Sequence, residues 1–392
     1  MFKGGRLVII EPIIPTNLCL QKIQTALAAK GSELGLSPHL ASVRPQFDIH
    51  LFESLPSTNT QLWKMLDAGA PSGSVVIAQQ QTAGRGQRNR KWCSPPGGLY
   101  LSLALEPDLP VSYSAQLTCM GAWGIAIALN NLGAAVDIKW PNDLYFRGKK
   151  LGGILTETKL STSSSSKKGT EKKRAKIKQA VIGVGINWHN PVPETGIALT
   201  SILSDPSSSL DENKINCLEM LIAVVLRGIL QGYIFQQQVG SQVFMKAYQK
   251  LLTQVGSTVS LDSNGALSLA TPILNPSPKS HCQNQQLQNQ QPLNALDTDE
   301  LVEGSAVKMH PAQRQHQVRL SENSNCSVKQ WANRSGEVIG ISEEGYLQVA
   351  LHPLACNKAS KQSYGHTSAN PPAADQTATD ILLFRPSEIH IS

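Results

Sequence analysis

The hydrophobic and polar positions along the chain change texture three times. Residues 1–46 hold no sustained period apart from 18–29, where apolar spacing predicts a helix. From Phe47 the pattern strengthens. His50-Leu51-Phe52 predicts a short strand, Leu55-Pro56-Ser57-Thr58-Asn59 a turn, and residues 60–68 a helix with Leu62, Met65 and Leu66 on one face. Residues 74–78 and 99–105 predict strands, and 116–132 a helix apolar enough to pack against a sheet. Further strands are predicted at 138–140, 155–157 and 181–186, followed by a helical block over 216–252. Strands separated by few helices predict an α+β unit over 47–252, a mixed sheet with helices covering one face.

Beyond 252 the texture becomes β-rich, at 256–261, 336–351 and 380–391. Two polar stretches interrupt it, roughly 262–335 and 353–379. The first contains Gln283-Asn284-Gln285-Gln286-Leu287-Gln288-Asn289-Gln290-Gln291, polar apart from one Leu. Such composition cannot build a core, so both stretches are expected to be disordered inserts in a C-terminal β unit spanning 253–392. Residues 1–46 are left as an N-terminal extension.

The charge balance adds a qualification. The net charge is +7, but residues 167–178 alone hold seven basic side chains and one acidic one, Glu171, and so carry +6 of it. This run follows Ser161-Thr162-Ser163-Ser164-Ser165-Ser166, which predicts a disordered basic loop over about 160–178 rather than a groove-binding helix. The seven cysteines are scattered and include no CxxC pair, so spacing supports neither a disulfide framework nor a metal site. The early apolar run Leu7-Val8-Ile9-Ile10 is cut at once by Glu11, Pro12 and Pro15. The apolar stretch 218–230 contains Glu219 and Arg227 and is too short to span a bilayer. A cytoplasmic protein with no membrane partner is the expectation.

Several short segments carry chemistry. Lys139-Trp140-Pro141-Asn142-Asp143, followed by Lys150-Leu151-Gly152-Gly153-Ile154-Leu155, places lysines, a carboxylate and paired glycines around a strand-turn-strand, which suits an activated carboxylate. On its own the same pattern also describes a hairpin with solvent-facing lysines. Gly84-Arg85-Gly86-Gln87-Arg88-Asn89-Arg90-Lys91-Trp92 lies between two predicted strands, where glycines permit close backbone approach and arginines can pair with carboxylate or phosphate oxygens. It is neither a P-loop nor a GxGxxG helix opening. Ser57-Thr58-Asn59 offers hydroxyls and an amide before a helix, as a ligand cradle or as an N-cap turn. Gly183-Val184-Gly185-Ile186-Asn187 closes the set, as a strand open to close approach or as a tightly packed core strand.

Together these segments resemble the biotin protein ligases. That family's pattern has a Ser-Thr-Asn turn, a GRG-type loop ending near Lys-Trp, a KWPND segment, a K-L-G/A-G-I-L segment and GxGIN. Here they stand in family order at 57–59, 84–92, 139–143, 150–155 and 183–187, within about residues 47–204. The β-rich segments around Gly336-Glu337-Val338-Ile339-Gly340-Ile341 and Gly345-Tyr346-Leu347 look like the small SH3-like barrel that follows the catalytic domain in this family.

The resemblance implies a two-step reaction. Biotin and ATP, with Mg²⁺, give biotinyl-5′-adenylate and pyrophosphate; a lysine of a biotin carboxyl carrier domain, expected to be that of acetyl-CoA carboxylase, then attacks the mixed anhydride. By this likeness Ser57, Thr58, Asn59 and Gln81 hold biotin, while Arg85, Gly86 and Gln87 close over the adenylate. Lys150 and Arg85 stabilise the developing charge, and Arg90, Trp92, Asn142, Asp143 and Asn187 face the nucleotide. No dedicated metal ligands are expected. For Asp143, a magnesium contact, a contact to the acceptor lysine and a turn-stabilising role all stay open. Gln87 stands where some members have Arg and Asn89 where Gly is common, so retention of the adenylate is expected to be weaker. Some members carry an N-terminal winged helix; residues 1–46 show no helix-turn-helix pattern, so no specific DNA binding is expected, and for this chain a homodimer stays open. The rival readings are a lipoate ligase, whose Arg-Arg-x-Ser-Gly-Gly-Gly loop is absent, and a non-catalytic biotin-binding or scaffolding module.

Overall fold

Seven strands build the larger sheet: β1 (Asp48–Leu55), β2 (Ser74–Gln81), β3 (Leu99–Leu105), β4 (Asp137–Lys139), β5 (Asp143–Phe146), β6 (Lys149–Leu160) and β7 (Ile177–Ile186). Their order is β1-β2-β3-β7-β6-β5-β4, with β1 and β2 parallel and every other neighbouring pair antiparallel. The computed structural model describes residues 18–38, 44–161, 175–205, 215–262, 267–269, 317–318, 333–352 and 381–385.

The apolar pattern of β2 explains how this sheet is covered. Val75, Val76, Ile77 and Ala78 are all buried, an unbroken run rather than an alternation, so both faces of the strand must be shielded from water. Val75 and Ile77 belong to the large core, packed with helices α1 (Leu20–Leu27), α3 (Ser114–Asn131) and α5 (Leu218–Gln249). Val76 and Ala78 join Ala104 and Val181 under α2 (Thr58–Asp67) on the opposite face. The expectation of helices on one face is therefore corrected. Three helices back the sheet, and α2 sits on the front, beside the open part of the same face.

Behind the sheet, α3 and α5 pack closely through glycines. A Cβ added at Gly124 would lie 2.0 Å from the Gly228 carbonyl oxygen, and Trp123 stacks on Phe235 with ring centroids 4.6 Å apart. Helix α5 runs well past the apolar stretch read from sequence, with a non-helical break at Gly240 (φ 79°, ψ 167°). It is long and apolar enough to cross a membrane, but 72% of its most apolar window is buried inside the protein. The core it fills accounts for that composition. A short helix, α4 (Leu199–Leu203), follows β7.

Six short strands form the second sheet: β8 (Thr258–Leu261), β9 (Leu267–Leu269), β10 (Gln317–Val318), β11 (Ser335–Ile341), β12 (Leu347–Leu351) and β13 (Ile381–Phe384), in the order β10-β13-β12-β11-β8-β9. Strands β9 and β10 fall inside the 262–335 stretch that composition marks as an insert, a correction for those few residues. Elsewhere that insert, and 353–379, lie outside the described residues. So does the basic run at 162–174, while β6 and β7 extend to Leu160 and back to Ile177, taking the ends of the predicted loop into a hairpin. Among the described residues this second sheet is tied to the first unit by a shared apolar core and by side-chain hydrogen bonds. Gln249 Oε1 accepts from Ile341 N at 3.4 Å, Gln116 Nε2 donates to the Glu343 carbonyl, and Trp140 Nε1 donates to the Gly345 carbonyl at 3.2 Å.

Candidate active site

The open part of the front face is a cleft of about 1010 Å³, counting its mouth, and its chemistry begins with an irregularity in β6. Asp143 pairs with Gly153 and Leu144 with Gly152, but Tyr145 pairs with Lys150, so Leu151 is an extra residue opposite β5. In a regular strand Lys150 and Gly153, an odd number of residues apart, would point to opposite faces. The bulge at Leu151 restores Lys150 to the face of Asp143 and Gly153, while Leu151 itself is buried. Lys150 Nζ then lies 2.6 Å from Asp143 Oδ2 and 5.3 Å from the centre of the Trp92 ring. Lys139 completes a basic corner: burial pushes its ammonium down, Asp143 pushes it up, and Lys150 and Arg90 push it down again.

The neighbouring strand supplies the floor. Gly183 and Gly185 share a face of β7 by simple alternation. A Cβ at Gly183 would sit 2.1 Å from Asn59 Oδ1, and one at Gly185 would sit 2.4 Å from Trp92 Nε1. Both glycines are therefore required by close approach, one by each end of the cleft. The Trp92 Nε1 so seated is buried and has no hydrogen-bond partner among the described residues.

At the other end, Ser57-Thr58-Asn59 opens α2. Ser57 occupies the N-cap position but its hydroxyl makes no capping bond; Gln81 Oε1 accepts from Thr58 N at 2.9 Å instead. Gln81 Nε2 donates to Ser94 Oγ at 2.8 Å, and Ser102 Oγ donates to Asn59 Oδ1 at 2.6 Å. Asn59 Nδ2 donates to Glu157 Oε2 at 3.0 Å. These polar groups, most of them buried, hold one another in fixed orientations, so that the end lined by Ser57, Thr58, Asn59 and Gln81 presents neutral donors and acceptors, with the Glu157 carboxylate behind them.

Residues 84–92 fold back over the cleft. Gly86 N donates to Arg90 O at 2.7 Å and Trp92 N to Gly84 O at 2.9 Å, closing a hairpin-like loop. Arg88 and Asn89 both adopt positive φ at its tip, 57° and 59°. Asn tolerates that conformation better than most non-glycine residues, which reconciles Asn89 with a position where Gly is common. Arg85 crosses to β6 and pairs with Glu157, Nη2 to Oε1 at 2.7 Å.

Of the residues picked from sequence, Ser57, Thr58, Asn59, Gln81, Arg85, Gly86, Gln87, Arg90, Trp92, Asn142, Asp143 and Lys150 all line this one cleft. Asn187 does not. Its Nδ2 donates to the Lys150 carbonyl at 3.3 Å and its Oδ1 accepts from Asn190, so its side chain reaches the cleft only through the Lys150 backbone. Asn142 lines the wall while its Nδ2 donates to Ile154 O at 2.8 Å, fixing the turn after Pro141. Glu157, Ser94 and Ser102 were not picked from sequence. Glu157 alone carried a signal, its even spacing from Gly153 and Leu155 on the cleft face of β6. Among the described residues no group of three His, Cys, Asp or Glu side chains could cage a metal ion.

Residues 51–187 match the biotin/lipoate A/B protein ligase family. The chain is 37% identical over 135 residues to the bifunctional ligase/repressor BirA of Bacillus subtilis, covering 34% of this chain and 38% of that protein. To BirA of Escherichia coli it is 32% identical over 194 residues, 48% and 55% of the two chains. To the biotin--[acetyl-CoA-carboxylase] ligase of Paracoccus denitrificans it is 35% identical over 134 residues, 33% and 50%. The match thus spans from about two fifths to just over half the length of these relatives. Among solved structures, a biotin protein ligase from Aquifex aeolicus in complex with biotin and ATP is similar over 77% of this chain and 91% of its own, with a TM-score of 0.45 and 20% identity.

Proposed function

We propose that this protein is an ATP-dependent biotin protein ligase. The observation that carries the reading is the polarity of the cleft. One end, at Ser57, Thr58, Asn59 and Gln81, is neutral and rich in oriented hydrogen-bonding groups, and the other, at Lys150 and Arg90 with Lys139 near both, is cationic. Biotin and ATP aligned for attack of the carboxylate on the α-phosphate have that same polarity, a neutral ureido head at one end and a triphosphate at the other. The names of the relatives point the same way, and that of the Paracoccus protein supports the carrier protein of acetyl-CoA carboxylase as acceptor.

In the first step the biotin carboxylate attacks the α-phosphorus and pyrophosphate leaves; in the second, a neutral lysine amine of the carrier attacks the acyl carbon and AMP leaves. Lys150 stands where negative charge grows in the first step, and Asp143 holds its ammonium in place. The loop 84–92 shields the mixed anhydride from water. Among the described residues no cage for a metal ion is present, so magnesium would arrive with the nucleotide phosphates, where it would offset their charge and Asp143 would be a carboxylate able to contact it. We read the second sheet as an SH3-like barrel, supported by its short strands and the alternating burial of β11 and β12, packed on a catalytic domain over 47–252. A cytoplasmic setting follows from carrier-protein substrates.

The test is mass spectrometry of a purified carrier domain incubated with the protein, ATP and magnesium, with biotin in one arm and lipoate in the other. One added biotinyl group in the first arm alone supports the reading. Modification only by lipoate, or by neither, overturns it.

A further inference from the structure

We propose that Glu157 is a positioning residue that sets the specificity of the neutral end of the cleft for its acid substrate, a role that rests on the ligase reading above. Glu157 lies outside the cleft lining, yet its carboxylate is the meeting point of the groups that shape that end. Oε1 accepts from Arg85 Nη2 at 2.7 Å; Oε2 accepts from Arg85 Nη1 at 3.3 Å, Asn59 Nδ2 at 3.0 Å and Trp63 Nε1 at 3.2 Å. Two segments far from Glu157 in sequence converge here: the loop 84–92, and two successive turns of α2.

The geometry separates this role from a purely structural one. Asn59 has its Nδ2 held by Glu157 and its Oδ1 held by Ser102, so the orientation of its amide is fixed from both sides. Thr58, next in chain, is tied to Gln81. Arg85 is planar and paired with both carboxylate oxygens, which fixes the direction of its guanidinium across the cleft mouth. Glu157 therefore controls the orientation of a neutral amide and of a cation with one carboxylate, at the end farthest along β6 from Lys150. The span from Gly153 to Glu157 along the strand is about 13 Å, so the nucleotide end at Lys150 and Trp92 is out of its reach.

Glu157→Gln keeps an oxygen acceptor for Asn59 and Trp63 but removes the charge that pairs with Arg85. In the full-length protein, isothermal titration should show biotin affinity lowered about tenfold or more, since charge-assisted pairs are among the strong hydrogen bonds. The KM for ATP should stay within about twofold, and Glu157→Asp should recover part of the loss. Trp63→Phe, which removes only the indole donor, should leave biotin affinity within about threefold and serves as the control for a merely structural contact. Equal biotin affinity in wild type and Glu157→Gln overturns the proposal, as does a loss shared equally between biotin and ATP. A wild-type protein that binds no biotin at all instead removes the ligase reading itself.

Discussion

Lys150 and Asp143 meet at 2.6 Å across a hairpin whose β-bulge at Leu151 is what turns the lysine toward the carboxylate. Without that extra residue, Lys150 would face the other side of the sheet from Gly153, and the cleft would lose its principal cation. The pairing leaves Lys150 partly exposed, with a third of its side chain accessible, so it can turn from Asp143 to a substrate oxygen without leaving its place.

Lys150→Ala removes this cation while leaving the buried Leu151 and the strand pairing intact. Biotin-dependent pyrophosphate release should fall by at least about a hundredfold, the scale seen when a single charge-stabilising group is removed. The melting temperature should change by no more than a few degrees. Near-normal turnover would sink the assignment of Lys150.

The two glycines of β7 predict a reciprocal pair of defects. In Gly183→Ala the new methyl meets Asn59 Oδ1, and in Gly185→Ala it meets the Trp92 indole. Each overpacks by about 1–3 kcal/mol and displaces the neighbour. Gly183→Ala should weaken biotin binding with little effect on the KM for ATP, and Gly185→Ala should do the reverse. Titration calorimetry for biotin and steady-state kinetics for ATP separate them; identical profiles for the two variants would contradict this division of the cleft.

Gln87 lines the cleft on the loop 84–92, which we propose covers the adenylate, and there it contributes an amide instead of a cation. Gln87→Arg adds a charge facing the phosphate, and the bound intermediate should dissociate about tenfold more slowly. The change should be smaller at high salt, because the loop is largely exposed. A chase experiment on preformed adenylate measures it, and an unchanged off-rate would show that position 87 does not contact the intermediate.

How much of this was legible beforehand depends on the range of the interaction. Strand β3 was read to the residue, 99–105, because its apolar run is bounded by clear turn signals. Short motifs located nearly every lining residue, since glycine pairs and Arg-rich turns show their chemistry locally. The bulge at Leu151 was not legible: strict alternation puts Lys150 and Gly153 on opposite faces, and only the pairing with β5 reveals the exception. Glu157 was missed because its partner Arg85 is 72 residues away. Asn187 was placed at the nucleotide from its motif, yet its amide is directed to the Lys150 carbonyl. The cover on the front face was missed because a run such as Val75-Val76-Ile77-Ala78 says that both sides are buried without saying by what.

Trp140 joins the two sheets, and this gives the last prediction. Its backbone N–H donates to Gln254 Oε1 at 3.0 Å in the connection to β8, and its indole Nε1 donates to the Gly345 carbonyl between β11 and β12 at 3.2 Å. The next residue, Pro141, accepts from the Tyr248 hydroxyl at 2.8 Å and precedes Asn142 and Asp143 in the cleft wall. These bonds link the second sheet to the turn that carries Asp143. Trp140→Phe keeps most of the buried ring but leaves the Gly345 carbonyl without its donor, at a cost of about 1–3 kcal/mol. The melting temperature should fall by several degrees. The KM for ATP should rise, while biotin affinity, set at the Asn59 end, should stay near that of the wild type. Loss of both affinities together would mean that Trp140 supports the whole fold rather than the wall around Asp143.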